Sequence, residues 1–169
     1  MAEAGDIRTN ERVVDVAAGI GNATLAAAEG LSVDFREADA EARPFSDGSF
    51  DVALSTFGVM FTPDHVRSAR EMMRVVRAGG RIGLANWTPD GFIGQLLKTI
   101  GEHVPPPSGL KSPALWGTED YLGEQFGAAA DRFQAERKLY NFRYASAAHW
   151  LQVFSTYLWP RAQGLRGSR

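Results

Sequence analysis

The sequence predicts a doubly wound α/β domain on a mostly parallel sheet, and three observations carry that expectation. Val13, Val14 and Val16, and later Val52 and Leu54, form short apolar runs typical of strands buried on both faces. Stretches at helical spacing separate these runs, so strand and helix alternate three times before residue 90. The first strand leads directly into Ala17-Ala18-Gly19-Ile20-Gly21-Asn22, a glycine turn opening a helix.

Taken in order, Gly19 and Gly21 permit positive φ and close approach of a ligand, while Asn22 can cap a helix whose free N–H groups face the turn. Thr24 stands where a dinucleotide-binding loop would carry its third glycine. Asn22 to Glu29 is alanine-rich and helical in expectation, with Gly30 as its stop. Leu31, Val33 and Phe35 alternate with polar residues, which predicts an edge strand. Ser46-Asp47-Gly48-Ser49 is a turn, and Phe50 to Leu54 is the next buried strand. Thr62-Pro63-Asp64 announces a helix whose Val66, Ala69, Met73 and Val76 share an inner line and which Gly79-Gly80 ends. Arg81 to Asn86 is then an inner strand.

Beyond Trp87 the character changes. Ile93, Leu96, Leu97 and Ile100 predict an amphipathic helix, Pro105-Pro106-Pro107 a stiff loop, and Thr118-Glu119-Asp120 a short helix ending near Gly127. Phe133 to Tyr144 reads as a long strand with a bulge near Lys138, and Ser146 caps a last helix carrying Trp150, Phe154 and Tyr157 on one side. One domain over residues 1–160 is expected, followed by a polar tail over 161–169.

Composition narrows the function. Eighteen Lys plus Arg against twenty Asp plus Glu leave a net charge of -2 with no basic block, which disfavours nucleic acid as a partner. The absence of cysteine excludes disulfides and thiolate metal sites, and His65, His103 and His149 are too scattered for a metal cluster. No apolar run is long enough to span a bilayer and no signal peptide is evident, so a cytoplasmic protein is expected.

Three blocks together resemble the class I S-adenosylmethionine-dependent methyltransferases of the ubiquinone-biosynthesis-like type. They are Val14-Asp15-Val16-Ala17-Ala18-Gly19-Ile20-Gly21-Asn22, Ala38-Asp39-Ala40-Glu41-Ala42-Arg43-Pro44-Phe45 with Ser49-Phe50-Asp51-Val52, and Arg74-Val75-Val76-Arg77-Ala78-Gly79-Gly80-Arg81. The resemblance implies a Rossmann-like sheet with S-adenosylmethionine as cofactor. Backbone from Ala17 to Gly21 would hold its methionine portion, and Asp15 would lie near the ammonium. Asp39 would accept the adenine amino group beside Ala40, and Ser55, Thr56 and Phe57 would border the sulfonium. Residues 91–130 would form a helical and loop insertion on the substrate side. Phe57, Met60, Phe61, Trp87, Phe92 and Trp116 would then form an apolar pocket for a small organic acceptor. Direct displacement makes a base optional. His65 is the one nearby candidate, and its place in a helix's first turn more often means surface.

Two departures from the pattern stand out. Leu25-Ala26-Ala27-Ala28 runs straight into Glu29-Gly30-Leu31-Ser32-Val33, so a strand and helix unit of roughly thirty residues is missing, with the ribose-binding acid it would carry. If the strand at Leu31 moves beside Val13, Asp34 or Glu37 becomes the substitute. A last antiparallel strand is also missing, which leaves a sheet edge open to a second copy of the chain. The competing expectation is a shortened, non-catalytic interaction or assembly module, and a nucleotide-dependent oxidoreductase comes third.

Overall fold

The computed structural model describes residues 7–19, 34 and 36–158, with the side chains of 157 and 158 excepted. Gly21, the expected helix over 22–29 and most of the expected strand over 31–35 lie outside the described residues. The chain divides into two compact units, Met1–Gln134 and Ala135–Arg169.

The first unit is built on a parallel sheet. β1 (Val13–Asp15) and β3 (Val76–Ala85) flank β2 (Phe50–Thr56), in the order β1-β2-β3 among the described residues. Val13 pairs with Val52 and Asp15 with Leu54, while Ser55 pairs with Leu84 and Thr56 with Ala85. A central strand meets neighbours on both sides, and Val52, Ala53, Leu54 and Ser55 are accordingly buried in succession. This register gathers the C-terminal ends of all three strands, where open α/β sheets bind ligands.

Helix α1 (His65–Val75) precedes β3 directly. Asp64 caps it by accepting from the Arg67 N–H at 3.0 Å, whereas Thr62, expected as the cap, donates its hydroxyl to the Val59 carbonyl at 2.8 Å. The buried face is His65, Ser68, Ala69, Met72 and Val75, one residue round from the line drawn in the sequence; Met72, not Met73, is fully enclosed. The helix stops at Val75 rather than at the glycine pair. Gly79-Gly80 instead shapes an irregularity inside β3, between the pairings Phe50 with Val76 and Val52 with Arg81. Gly79 has φ +71°, and a Cβ on Gly80 would collide with Val76 and the Asp51 carbonyl, so both positions need glycine.

Helix α2 (Phe92–His103), a 3-10 turn over Pro113–Gly117 and helix α3 (Glu119–Phe126) also belong to this unit. Trp116, Tyr121 and Phe126 join Val16, Ala53, Val59, Met60, Ala69 and Met72 in one core. In the second unit, Ser146 caps helix α4 (Ala147–Val153) by accepting from the His149 N–H at 3.1 Å, and a π-helical turn (Phe154–Leu158) comes next. Residues 133–144 form no strand. Phe133, Leu139, Tyr140 and Phe142 remain exposed, because alternation alone makes no strand without a ladder partner for the backbone. No described helix is long and apolar enough to cross a membrane.

Candidate functional site

The turns that leave β1 and β2 shape the site. After β1, Val16 is buried and donates its N–H to the Leu54 carbonyl at 2.7 Å, which holds the chain against β2 for one residue more. The backbone then turns left-handed at Ala17 (φ 56°) and again at Gly19 (φ 59°). Glycine accepts that geometry freely, but alanine does so only where the surroundings force it. Among the described residues, no heavy atom outside its chain neighbours lies within 4 Å of where a Gly19 side chain would begin. Asp15 sits half-buried at the tip of β1.

After β2, Phe57 is also left-handed (φ 59°), with its N–H on the Ala85 carbonyl at 2.9 Å. Its ring stacks on Trp87 at 4.1 Å with the planes 7° apart. Gly58 packs so closely on Ala17 that a Cβ would fall on the Ala17 carbonyl oxygen. Sequence reasoning missed Gly58; a glycine directly after a strand end is the signal for such an approach. Asn86, also missed, comes after β3 with its Oδ1 buried and unbonded.

The expected site residues therefore separate. Asp15, Ala17, Gly19, Thr56, Phe57 and Trp87 lie at the strand ends. Ser55 is fully buried, and both its hydrogen bonds stay inside the protein: its hydroxyl donates to the Val16 carbonyl at 2.8 Å and accepts from the Val59 N–H at 3.0 Å. Met60 and Trp116 are fully enclosed core residues, whereas Phe61 and Phe92 are about half exposed at 55% and 54%. The proposed apolar lining is thus not one surface in this conformation. Burial won over lining for Met60 and Trp116 because the 113–126 segment folds back onto α1 and the turn over Val59–Phe61.

His65 is in the core, not on the surface. Its Nδ1 lies 3.0 Å from the Tyr121 hydroxyl, and Trp116 and Tyr121 meet it edge-on. Burial, with Lys111 nearby, pushes its pKa below the ordinary histidine range. A ring so enclosed is poorly placed to reach a reacting group.

The Asp39 block is a turn. Asp39 Oδ1 accepts from the Glu41 N–H at 2.8 Å, and its carbonyl accepts from the Ala42 N–H at 3.1 Å. Ala40 packs against the core. Behind the turn, Glu71 and Arg74 of α1 clamp residues 43–47. Glu71 accepts from the Arg43 N–H at 2.9 Å, and Arg74 donates to the Arg43 and Phe45 carbonyls and to Asp47 at 3.1, 2.7 and 2.8 Å. Arg74 also grips Glu71 at 2.6 and 2.8 Å. That grip, joined by the Arg43 N–H, holds the Glu71 carboxyl down at about 2 against burial. The Arg43 guanidinium is buried with neither terminal nitrogen hydrogen-bonded, and burial lowers its pKa to about 10. Asp34, one of the two expected ribose partners, is exposed and pairs with Arg36 at 2.8 Å; Glu37 is exposed as well. Among the described residues no group of His, Asp or Glu side chains could hold a metal ion.

A parallel sheet with helices, and a left-handed turn after its first strand, defines an α/β domain of the doubly wound class. Residues 7–84 match the family model described as a methyltransferase domain. Over that stretch, 78 of the 169 residues, the chain is similar to the methyltransferase domain family.

Among curated relatives, the uncharacterised protein Rv1403c of Mycobacterium tuberculosis is 43% identical over 152 residues, covering 75% of this chain and 56% of that protein. Rv1405c of the same organism is 37% identical over 178 residues, covering 88% of this chain and 65% of that protein. This chain thus spans less than two thirds of the length of either. A demethylmenaquinone methyltransferase of Deinococcus radiodurans is 35% identical over 101 residues, covering 59% of this chain and 42% of that protein. Solved structures share the fold: the YcgJ protein of Bacillus subtilis has a TM-score of 0.59 at 22% identity, covering 76% of this chain and 64% of that chain. A SAM-dependent methyltransferase of Thermotoga maritima has a TM-score of 0.55 at 19% identity, covering 76% of this chain and 68% of that chain.

The mycobacterial alignments also bear on the missing unit. Three quarters of 169 residues is about 127, so about 25 of the 152 aligned positions of Rv1403c face no residue here. For Rv1405c the shortfall is about 29 of 178. Both are close to the size of one strand and helix unit.

Proposed function

We propose that this chain binds S-adenosylmethionine at the C-terminal ends of β1 and β2 and directs its methyl group to a small organic acceptor. The observation that carries the reading is the turn after β1, left-handed at Ala17 and Gly19, with no described neighbour within 4 Å of where a Gly19 side chain would begin. The residues present suit the cofactor. Asp15 would take its ammonium, the backbone from Ala17 to Gly19 its carboxylate, and Asp39 with Ala40 the adenine ring. When bound, the cofactor supplies an electrophilic methyl on a sulfonium. The protein's part is then alignment and exclusion of water, with Thr56 and the stacked Phe57 and Trp87 bordering the acceptor. No general base is assigned, since His65 is buried against Tyr121 and Trp116.

Isothermal titration with S-adenosylhomocysteine tests the reading. Micromolar binding by the wild type, weakened at least tenfold in Asp15→Asn with the fold intact by circular dichroism, is expected. A folded protein that binds neither S-adenosylmethionine nor S-adenosylhomocysteine would instead favour a non-catalytic assembly module. The internal shortfall against the mycobacterial relatives supports that second reading, because the ribose-binding acid would lie in the missing unit.

A further inference from the structure

Two loops leave neighbouring strand ends, and a single buried hydroxyl stands between them. Ser55 has no exposed surface, yet its Oγ serves both sides, donating to the Val16 carbonyl at 2.8 Å and accepting from the Val59 N–H at 3.0 Å. Val16 is the last residue before the left-handed turn, and Val59 opens the 3-10 turn over Val59–Phe61. On either side of this bridge Ala17 and Phe57 are held at φ 56° and 59°, a region that non-glycine residues keep only when their surroundings impose it. Gly58 supplies a second tie, since its Cα meets Ala17 so closely that no side chain fits between them.

We propose that Ser55 is a positioning residue that couples the Val16–Gly19 loop to the Phe57–Phe61 segment, so that the two open and close as one body. The coupling itself rests on geometry alone; its meaning for catalysis rests on the cofactor reading above. Hydroxyls are the small groups able to donate and accept through one atom, which is what a bridge between a carbonyl and an N–H requires. Full burial keeps Ser55 away from cofactor and acceptor, so it acts only through its neighbours. Ordering of the first loop by a ligand would then also fix Phe57 and the Trp87 ring stacked on it at 4.1 Å. In this way the cofactor side would set the acceptor side before the acceptor arrives.

Site-resolved amide exchange by NMR on the ligand-free protein, paired with titration of S-adenosylhomocysteine, separates the coupling from the cofactor reading. In the wild type, the Val16, Val59 and Phe61 amides are expected to share one urea dependence of opening, distinct from Ala53 and Met72 in the core. Ser55→Ala and, independently, Gly58→Ala should accelerate exchange at Val16 and at Val59 together by tenfold or more, with Met72 unchanged. Ser55→Thr, which keeps the hydroxyl, should stay within threefold of wild type. Where the wild type binds S-adenosylhomocysteine, Ser55→Ala should weaken it about tenfold and Ser55→Thr should restore it. Different urea dependences for Val16 and Val59 in the wild type overturn the coupling, whatever the variants do. So does acceleration at Val59 with none at Val16. Absence of S-adenosylhomocysteine binding by the wild type overturns the cofactor reading alone, and the exchange data still decide the coupling.

Discussion

Glu71 offers a test of how the segment over residues 43–47 is held. Its carboxylate accepts from Arg74 at 2.6 and 2.8 Å and from the Arg43 N–H at 2.9 Å, with only 16% of the side chain exposed. These partners lower its pKa from 4.5 to about 2. At about 1.4 kcal/mol per tenfold change in proton affinity, that gap corresponds to about 3 kcal/mol of native stability at neutral pH. Residual solvent screening brings the expectation to about 2–3 kcal/mol. Because the folded pKa lies below the unfolded one, the contribution is complete above about pH 4.5 and disappears as pH falls toward 2. Urea unfolding of wild type and Glu71→Gln between pH 7 and pH 2.5 reads this as a difference. Other acids cancel in that comparison, including Asp51, lowered by the Arg12 N–H and Arg77, and Glu11, lowered by Arg81. The variant should be less stable by about 2–3 kcal/mol at pH 7, with the gap narrowing steadily on acidification. A gap that stays constant with pH, or no gap at all, would refute the assignment of the clamp to an ionised Glu71.

Burial underlies three further outcomes. Arg43→Leu should stabilise the protein by about 1–4 kcal/mol in urea, since it removes a buried guanidinium whose terminal nitrogens have no hydrogen bonds; a less stable variant contradicts this. Trp116→Ala should cost about 3–5 kcal/mol of stability, as expected for a fully buried core aromatic. An unchanged melting temperature would return Trp116 to the acceptor side. His65 is held neutral by burial, so its folded pKa lies below the unfolded 6.5. The stability it contributes is complete above about pH 6.5 and is lost as pH falls below it. His65→Gln should flatten the thermal melting profile between pH 6.5 and 5, and an unaltered profile argues against a neutral buried ring.

The sequence by itself determined the cores of the strands at Val13 and Phe50, the parallel α/β class and the likeness to methyltransferases. Those depend on local patterns: β-branched runs, glycine at a turn and blocks whose residue types recur in one order. It also located the short helix ending near Gly127 and the Ser146 cap, where a single side chain and the next turn of backbone decide the outcome. Tertiary packing decided the rest. The inner line of α1 shifted by one residue because Tyr121 and Trp116, more than fifty positions away, offer His65 a partner and an apolar wall. Met60 and Trp116 went to the core rather than to a pocket for the same reason, and Gly79-Gly80 became a bend within β3 because β2 was there to pair with. The 133–144 stretch has strand-like alternation but no ladder, and alternation without hydrogen-bond partners does not suffice. Ser55 shows the difference most plainly: its place after a strand is written in the chain, but its double hydrogen bond exists only once Val16 and Val59 are brought to either side of it.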